Sequence, residues 1–319
     1  MITVAVTGPT GDIGRALLRR LDADPAVERV LGMARRPFDP ASLGLGRTEY
    51  RRGDVLDRDA VDAFAREADV LVHLAFIIVG GREETRTINL EGSRNVFEAA
   101  RGVTRLVYTS SVAAYGFHAG NPQPLTEDVP ARGSEAHYYS AQKAELEQTL
   151  REALDGSGVE TYVFRPCIVA GGDALALVEA FPKLLRRLPL ARPVLPDPGT
   201  PFQLVHTEDV ATALAAAARG DGSPGVYNLA GDGTIRVGDL ARAFGWLTVP
   251  MPRLGLDAAA GAVGRLPAMP ARASWITALR VPVVMDTTRA RVELGWAPEH
   301  DTRATLADTV ARARERGLL

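Results

Sequence analysis

Short apolar runs alternate with amphipathic segments through the first half of the chain. Continuous runs rich in β-branched residues predict buried strands at Ile2–Val6, Val27–Met33, Val70–Leu74, Leu106–Thr109 and Thr161–Phe164. Between them, apolar residues at helical spacing predict helices at Gly14–Leu21, Val61–Glu67, Asn89–Arg101 and Tyr139–Leu154. Apolar strands separated by helices are typical of a parallel sheet covered on both faces, which right-handed crossovers make doubly wound. We therefore predict an α/β fold with a doubly wound parallel sheet.

Glycines occur where the first predicted strand meets the first helix, in the segment 8–14. Gly8, Gly11 and Gly14 have Gly-x-x-Gly-x-x-Gly spacing, and the loop is completed by Thr10, Asp12 and Ile13. Small residues let the backbone approach a pyrophosphate, and a helix N-terminus offers N–H groups and a positive dipole end. The spacing favours a dinucleotide site in a Rossmann fold, although an ordinary glycine-rich turn would look similar.

Proline becomes frequent after Arg165, at positions 166, 182, 189, 193, 196, 198 and 201 and again at 250, 252, 267, 270 and 282. Because prolines interrupt helices and strands, this frequency is typical of a smaller, loop-rich lobe. We expect residues 1–166 to form a dinucleotide-binding domain and residues 167–319 to form mainly a substrate-binding lobe. A helix predicted at Thr207–Arg219, with Thr207 as its cap, leads us to expect residues 203–220 to return to the first domain. Thr302–Arg316 is predicted to be a C-terminal helix.

Composition narrows the partners of this 319-residue chain. Its 37 Lys plus Arg and 39 Asp plus Glu residues give a net charge of −2, so no basic excess indicates nucleic acid or a membrane surface. The single cysteine, Cys167, fits a reducing compartment, and the N-terminus lacks the charged start and apolar run of a signal peptide. We therefore expect a cytoplasmic protein that acts on a small molecule.

The residues after the second strand bear on which dinucleotide is bound. An acid that holds the adenosine 2′-hydroxyl is expected near Ala34, which cannot form that hydrogen bond. Arg35 and Arg36 follow at once, and adjacent guanidinium groups suit a 2′-phosphate. We predict NADP in preference to NAD, with NAD as the alternative. Solvated loop charges, or Asp39 folding back as the missing acid, are the competing interpretations.

Tyr139 and Lys143 lie four residues apart in a predicted helix and so share one face. A phenol with a pKa near 10 is a poor acid or base at neutral pH, but a nearby cation stabilises the phenolate. The spacing therefore fits a proton donor or acceptor assisted by an ammonium group. Taken alone, it also fits an ordinary amphipathic helix. Tyr138 has no lysine four residues further on.

Eight motifs follow one another in order, and their spacing is more specific than any one of them. They are TGPTGDIG at 7–14, GDVLD at 53–57, HLA at 73–75, TSSVAAYG at 109–116, YSAQK at 139–143, RP at 165–166, LVHTEDVA at 204–211 and RARVELGWAP at 289–298. With these motifs the sequence resembles an extended short-chain dehydrogenase/reductase of the NAD-dependent epimerase/dehydratase family, over nearly its whole length.

The resemblance implies a Ser-Tyr-Lys catalytic triad of Ser111, Tyr139 and Lys143, in which Lys143 also holds the nicotinamide ribose. Ser110 is the alternative to Ser111. It further implies that the cofactor is lined by Asp54 and Val55 at adenine, Leu74 and Ala75 along the groove, and Pro166 near nicotinamide. Phe76 follows where the family often has a small residue.

Three departures from the family pattern concern the substrate. Val112 and Ala113 replace the acid pair of sugar dehydratases. Ile168 and Phe202 replace an asparagine and an arginine that often hold the diphosphate of nucleotide sugars. These losses favour a less phosphorylated substrate, unless arginines in the proline-rich lobe substitute, namely Arg186, Arg187 and Arg192.

The leading interpretation is an NADP-dependent oxidoreductase that transfers hydride between nicotinamide and a secondary alcohol or ketone. A nucleotide-sugar epimerase with retained NAD and a non-catalytic NADP-sensing protein are the alternatives. No histidine spacing indicates a metal site, and His206 is assigned a structural role. The helices Asn89–Arg101 and Tyr139–Leu154 are expected to form a homodimer, as in many members of the family.

Overall fold

The computed structural model describes residues 1–78, 82–175, 194–251 and 280–319. In these residues the strands are β1 (Ile2–Thr7), β2 (Val27–Ala34), β3 (Thr48–Arg52), β4 (Val70–His73), β5 (Arg105–Thr109), β6 (Glu160–Pro166), β7 (Ile168–Ala170), β8 (Val194–Asp197), β9 (Leu204–His206), β10 (Gly225–Leu229) and β11 (Leu247–Pro250). The helices are α1 (Asp12–Ala23), α2 (Arg58–Ala65), α3 (Arg82–Ala99), α4 (Tyr138–Leu154), α5 (Thr207–Arg219), α6 (Val237–Phe244), α7 (Thr288–Glu293) and α8 (Thr302–Glu315). Single 3-10 turns occur at Pro40–Leu43, Ala100–Gly102 and Val112–Tyr115.

Seven parallel strands form the central sheet, in the order β3-β2-β1-β4-β5-β6-β10. The direction of winding reverses between β1 and β4. In sheets of this class, ligands bind outside the carboxyl ends of the strands at that reversal. The predicted doubly wound α/β fold is confirmed.

Helices cover both faces of the sheet and bury two apolar layers. On one face α1 packs on α5, with Leu17, Leu18 and Leu214 fully buried. On the other face α2, α3 and α4 pack over a second cluster that includes Phe97 and Leu146. Burial of such side chains contributes roughly 1.5–3 kcal/mol each, so the two layers hold the strand ends in fixed relative positions.

All five predicted strands of the central sheet are present, but two further strands were missed. The sequence of β3 is TEYRR, which lacks an apolar run because this strand lies at the edge of the sheet. Strand β10 lies beyond the proline-rich stretch and pairs with β6. Helix α3 begins at Arg82, seven residues before the predicted start at Asn89.

The second half of the chain contributes both to the central sheet with its helices and to a separate apolar cluster. Helix α5 spans the predicted Thr207–Arg219, although His206 rather than Thr207 is its N-cap, and β10 extends the central sheet. A separate apolar cluster is formed by α6, α8 and nearby strands, with Phe202, Leu240 and Leu306 buried. The division into a cofactor domain and a substrate lobe stays a prediction. Among the described helices, none combines the length and apolarity that crossing a bilayer requires.

Candidate active site

The glycine loop between β1 and α1 is shaped by its own close contacts. Gly8 has φ +77°, and a Cβ there would lie 2.7 Å from the backbone nitrogen of Ala75. A Cβ on Gly14 would lie 2.5 Å from the carbonyl oxygen of Gly8. A Cβ on Gly11 would approach no described atom closer than 3.6 Å. Gly8 and Gly14 are therefore required by the loop itself, whereas Gly11 keeps open space at the start of α1.

Helix α1 begins without a capping side chain, because its N-cap is Gly11. The first N–H groups of a helix lack partners within the helix and carry its positive dipole end. Thr10 and Ile13 are partly buried beside them, and Asp12 is exposed in the first turn. This open cradle fits a pyrophosphate, so the residues present fit the predicted dinucleotide.

The loop after β4 closes the other side of this cradle. Leu74 donates its backbone N–H to the carbonyl of Thr7 at 3.0 Å, which places Ala75 against Gly8. Two residues on, the backbone of Ile77 exchanges hydrogen bonds of 2.8 and 2.9 Å with the side chain of Asn89 on α3. The groove predicted from Leu74, Ala75 and Phe76 thus has a fixed backbone.

Arginine side chains gather where β2 and β3 end. Arg35 and Arg36 are exposed immediately after β2. The pairing of Ala34 with Arg52 brings a third guanidinium to the same edge, and Arg52 Nε donates to the carbonyl of Arg35 at 3.0 Å. Our sequence reasoning missed Arg52, because only the strand register places it beside Ala34. The carboxylate of Asp39 accepts from the N–H of Ala41 at 3.0 Å and so caps the 3-10 turn Pro40–Leu43, and its role as the missing acid stays an alternative.

Asp54 and Val55 follow β3 on this side. The carboxylate of Asp54 accepts from the N–H of Leu56 at 3.1 Å, and Val55 is buried. Asp54 therefore stabilises its own turn, and its partly buried position leaves it at the surface of the expected adenine region.

The hydroxyls of Ser111 and Tyr139 are hydrogen-bonded to each other. Ser111 is held as the cap of the 3-10 turn Val112–Tyr115, because its Oγ accepts from the N–H of Ala113 at 3.2 Å. Burial raises the pKa of Tyr139 to about 12, and the hydrogen bond with Ser111 partly offsets this. That Lys143 stabilises the Tyr139 phenolate stays a prediction, since burial of the phenol is the largest cause of the net shift in its pKa.

Lys143 is buried one turn further along α4. Its Nζ donates to the carbonyl of Thr109 at 2.9 Å and lies 3.9 Å from the centroid of the Phe76 ring. Burial lowers the pKa of Lys143 to about 7, whereas the carboxylate of Glu147 raises it. Phe76 also meets Tyr139 edge to face, with ring centroids 5.5 Å apart. Phe76 therefore contacts both groups predicted to be catalytic.

Residues at the ends of β6 and β7 complete this region. Pro166 is buried at the end of β6, where it pairs with Leu229 of β10. Cys167 is 5% exposed, and burial raises the pKa of its thiol, which fits a small packing residue. Phe202 is buried in the smaller apolar cluster and Ile168 packs at its margin. Arg186, Arg187 and Arg192 lie outside the described residues.

A compact cluster is formed by His206, Asp209 and His300, which all lie far from Tyr139 in the sequence. The ring nitrogens of His206 contact the N–H of Glu208 at 3.2 Å and the carboxylate of Asp308 at 3.1 Å. Asp209 accepts from the N–H groups of Glu299 and His300. The two imidazole rings stack with centroids 3.9 Å apart, and one ligand atom from each of the three side chains lies within 4.8 Å of the other two. These contacts agree with a structural role for His206 in joining α5 to α8.

Comparisons with known proteins identify related sequences and folds. The model of the NAD dependent epimerase/dehydratase family matches residues 4–230. Sterol demethylase protein B of Methylococcus capsulatus is 29% identical over the full length of both chains. Ceramide reductase of Caulobacter vibrioides is 32% identical over 68% of this chain and 61% of its own. The crystal structure of the Bordetella bronchiseptica enzyme WbmH with NAD+ has the same fold, with a TM-score of 0.72, 21% identity and coverage of 99% and 100%.

Proposed function

This chain belongs to the NAD dependent epimerase/dehydratase family, and from that premise we propose that it is a reductase or dehydrogenase acting on a secondary alcohol or ketone. Family membership makes it an NAD-dependent enzyme of the oxidoreductase type. The observation that carries the specific reaction is the buried hydroxyl pair of Ser111 and Tyr139, one helical turn from Lys143.

In this proposal each of the three side chains has one task. A bound nicotinamide would supply or accept the hydride. Tyr139 gives a proton to the carbonyl oxygen of a ketone, or takes one from an alcohol. Ser111 donates a hydrogen bond to the same oxygen and so stabilises the charge that develops there. Lys143 would hold the ribose and, as an ammonium ion, stabilise the Tyr139 phenolate.

The arginines at the ends of β2 and β3 support a preference for NADP over NAD. Arg35, Arg36 and Arg52 occupy the edge of the sheet where the adenosine ribose is expected, and Ala34 provides no acid for a 2′-hydroxyl. A 2′-phosphate would receive charge-assisted hydrogen bonds from these guanidinium groups.

Mutation of Arg35 tests this preference. Arg35→Ala should weaken NADPH binding roughly tenfold or more, because a charge-assisted hydrogen bond contributes about 1.5–3 kcal/mol. NADH has no 2′-phosphate, so its affinity should stay unchanged and serve as the internal control. Fluorescence titration with both cofactors measures the two affinities. Tighter binding of NADH than NADPH by the unmodified protein would contradict the NADP preference.

The surroundings of Tyr139 favour an apolar substrate. Phe76 borders Tyr139, and the next residues of the same loop are Ile77 and Ile78, of which Ile78 is 47% exposed. Ile168 and Phe202 replace the polar groups expected for a diphosphate. The names of two relatives, sterol demethylase protein B and ceramide reductase, also indicate lipid-like compounds. We infer a small, largely apolar ketone or alcohol as the substrate.

The family name keeps a nucleotide-sugar epimerase as the second candidate. An epimerase would use the same triad with NAD that is oxidised and reduced within one turnover. It should therefore purify with bound dinucleotide and cause no net consumption of it. Net oxidation of NADPH with a ketone supports the reductase, and epimerisation without net consumption supports the epimerase.

A matched pair of tyrosine variants tests catalysis. Tyr139→Phe should reduce turnover by about 10²–10⁴-fold, because it removes the proton that completes reduction. Tyr138→Phe is the control, since the neighbouring hydroxyl donates to the carbonyl of Ile78 and has no lysine four residues further on. Initial rates of NADPH oxidation with steroid and sphingoid ketones measure the effect. Equal rates in both variants would contradict the role of Tyr139 as proton donor, whereas no NADPH oxidation by the unmodified protein would favour a non-catalytic NADP-sensing protein.

We also propose a homodimer, formed through α3 and α4 as in many relatives of this type. Leu146 and Leu150 cannot form its interface, because both are buried in the core of this chain. The exposed positions of the two helices are instead polar, and they include Arg86, Glu91, Arg94, Glu145, Gln148, Arg151 and Glu152. An interface here would depend on charge complementarity.

A further inference from the structure

A buried ion pair lies directly behind the proposed catalytic residues. Glu147 is one helical turn beyond Lys143 on α4, and its side chain is 2% exposed. Both of its carboxylate oxygens accept from Arg165 of β6, from Nε at 2.9 Å and from Nη2 at 2.6 Å. Removing such a pair from water is costly, and stability alone seldom accounts for one, since apolar residues often serve as well. The pair therefore requires a further explanation.

The contacts of this pair connect it to the turn that carries Ser111. Ser110 Oγ donates to Glu147 at 2.6 Å, and the N–H of Ser110 donates to the carbonyl of Phe164 at 2.7 Å. The guanidinium of Arg165 lies 4.3 Å from the centroid of the Tyr115 ring, at the other end of the same turn. Glu147 and Arg165 thus fix both ends of the segment 110–115 against β6 and α4.

Glu147 and Lys143 are both buried and lie four residues apart on α4, and the charge of the Glu147 carboxylate raises the pKa of Lys143 against the effect of burial. His73, Tyr108 and Tyr139, which also surround Lys143, are neutral near pH 7. Burial and the charge of Lys143 lower the pKa of His73 to about 3, burial raises the pKa of Tyr108 well above its usual value, and burial raises the pKa of Tyr139 to about 12. On the neighbouring helix, Arg86 is paired with Glu145 at the solvent side.

We propose that the Glu147–Arg165 pair is a positioning unit of the active site, in which Arg165 and Ser110 hold the Glu147 carboxylate so that its charge keeps Lys143 in the ammonium form. This inference rests on the proposed function for its catalytic consequence, because the ammonium form is the one that stabilises a Tyr139 phenolate. Neither Glu147 nor Arg165 is assigned contact with the substrate or the reacting atoms.

A double-mutant cycle on folding tests the charge interaction without any substrate. Urea unfolding is measured at pH 6 and at pH 10.5 for the wild type, Glu147→Gln, Lys143→Met and the double variant. Coupling between the two positions should favour the folded state at pH 6 by about tenfold in the unfolding constant, which corresponds to one pKa unit. It should disappear at pH 10.5, where Lys143 is neutral.

The control cycle uses Glu145→Gln in place of Glu147→Gln. Glu145 lies two residues away on the same helix, and its carboxylate is exposed. This cycle should give no coupling with Lys143 at either pH. If Glu147→Gln does not fold, the combined change Glu147→Gln/Arg165→Met takes its place, because it leaves no buried charge unpaired.

The pH dependence of NADPH oxidation, with a steroid ketone as the probe, gives the second readout. In Glu147→Gln the fall in rate that accompanies deprotonation of Lys143 should move to lower pH by about one unit. Glu147→Asp retains the charge and should restore the wild-type profile. Absent coupling at pH 6, or coupling that persists unchanged at pH 10.5, would overturn the proposal. Since the cycle needs no turnover, failure of the proposed reaction is separated from failure of the positioning role.

Discussion

At the scale of single residues, the burial of Lys143 lowers the stability of the folded chain and serves the proposed chemistry of the site. Its ammonium is buried with the carbonyl of Thr109 as backbone acceptor and with the rings of Phe76 and Tyr108 beside it, and its pKa falls from 10.5 to about 7. Residues that are kept in unfavourable surroundings often have a functional reason. The YSAQK motif indicated Lys143 as catalytic, but the sequence did not show that burial would bring its pKa down to about 7.

This burial makes Lys143→Met a stabilising change at neutral pH. The unfolded state binds a proton at Lys143 more tightly than the folded state does, so the lysine costs stability below pH 7 and this cost vanishes above pH 10.5. The variant should gain up to about 5 kcal/mol at pH 6, less the loss of the bond to Thr109. Urea unfolding of the two proteins from pH 6 to pH 10.5 measures the difference, which should shrink as the pH rises. If Lys143→Met were less stable than the wild type at pH 6, the buried ammonium would not be destabilising.

At the scale of elements, the glycines in the turn from β1 to α1 have two different roles. Gly8 and Gly14 have no room for a side chain within the protein, whereas Gly11 does. In the sequence the three glycines appear equivalent, because spacing records only that each is small. Their different roles depend on contacts that form only in the folded chain, of Gly8 with Ala75 and of Gly14 with Gly8 and Pro9 across the turn.

Alanine variants of these glycines should therefore behave differently. Gly14→Ala forces a Cβ to within 2.5 Å of a backbone oxygen and 2.7 Å of Pro9, so we expect a loss of about 1–3 kcal/mol in stability. Gly11→Ala should fold normally but weaken NADPH binding, because its methyl group would occupy the space left for the pyrophosphate. Thermal unfolding and NADPH titration of the two variants make the comparison. Unchanged NADPH affinity in Gly11→Ala would place the phosphates elsewhere.

At the scale of the whole molecule, the outward faces of α3 and α4 are charged rather than apolar. Leu146 and Leu150 lie four residues apart on α4, a spacing that fits helix pairing or core burial, and the folded chain buries both in its core. A dimer through these helices would consequently be sensitive to salt, since exposed charges are screened within about a Debye length.

Sedimentation analysis provides the test of this assembly. The wild type should sediment as a species of twice 34.1 kDa at low salt and dissociate as salt increases. Reversing an exposed charge of α3, as in Arg94→Glu, should weaken the dimer. Arg312→Glu on helix α8 is the control, since its side chain is also exposed, at 51%, and lies outside α3 and α4. A salt-independent monomer would exclude the proposed dimer.

The sequence by itself determined the strands of the sheet interior, the glycine turn and the placement of Tyr139 and Lys143 on one face of α4. These features are encoded locally, by apolar runs, by backbone requirements and by spacing of one helical turn. Tertiary structure alone decided which side chains from distant segments meet. The edge strand β3 brought Arg52 to Ala34, the loop after β4 laid Phe76 over Lys143, and β6 brought Arg165 to Glu147. Charge states in the site followed from burial, which depends on the packing of both helical layers and cannot be read from spacing.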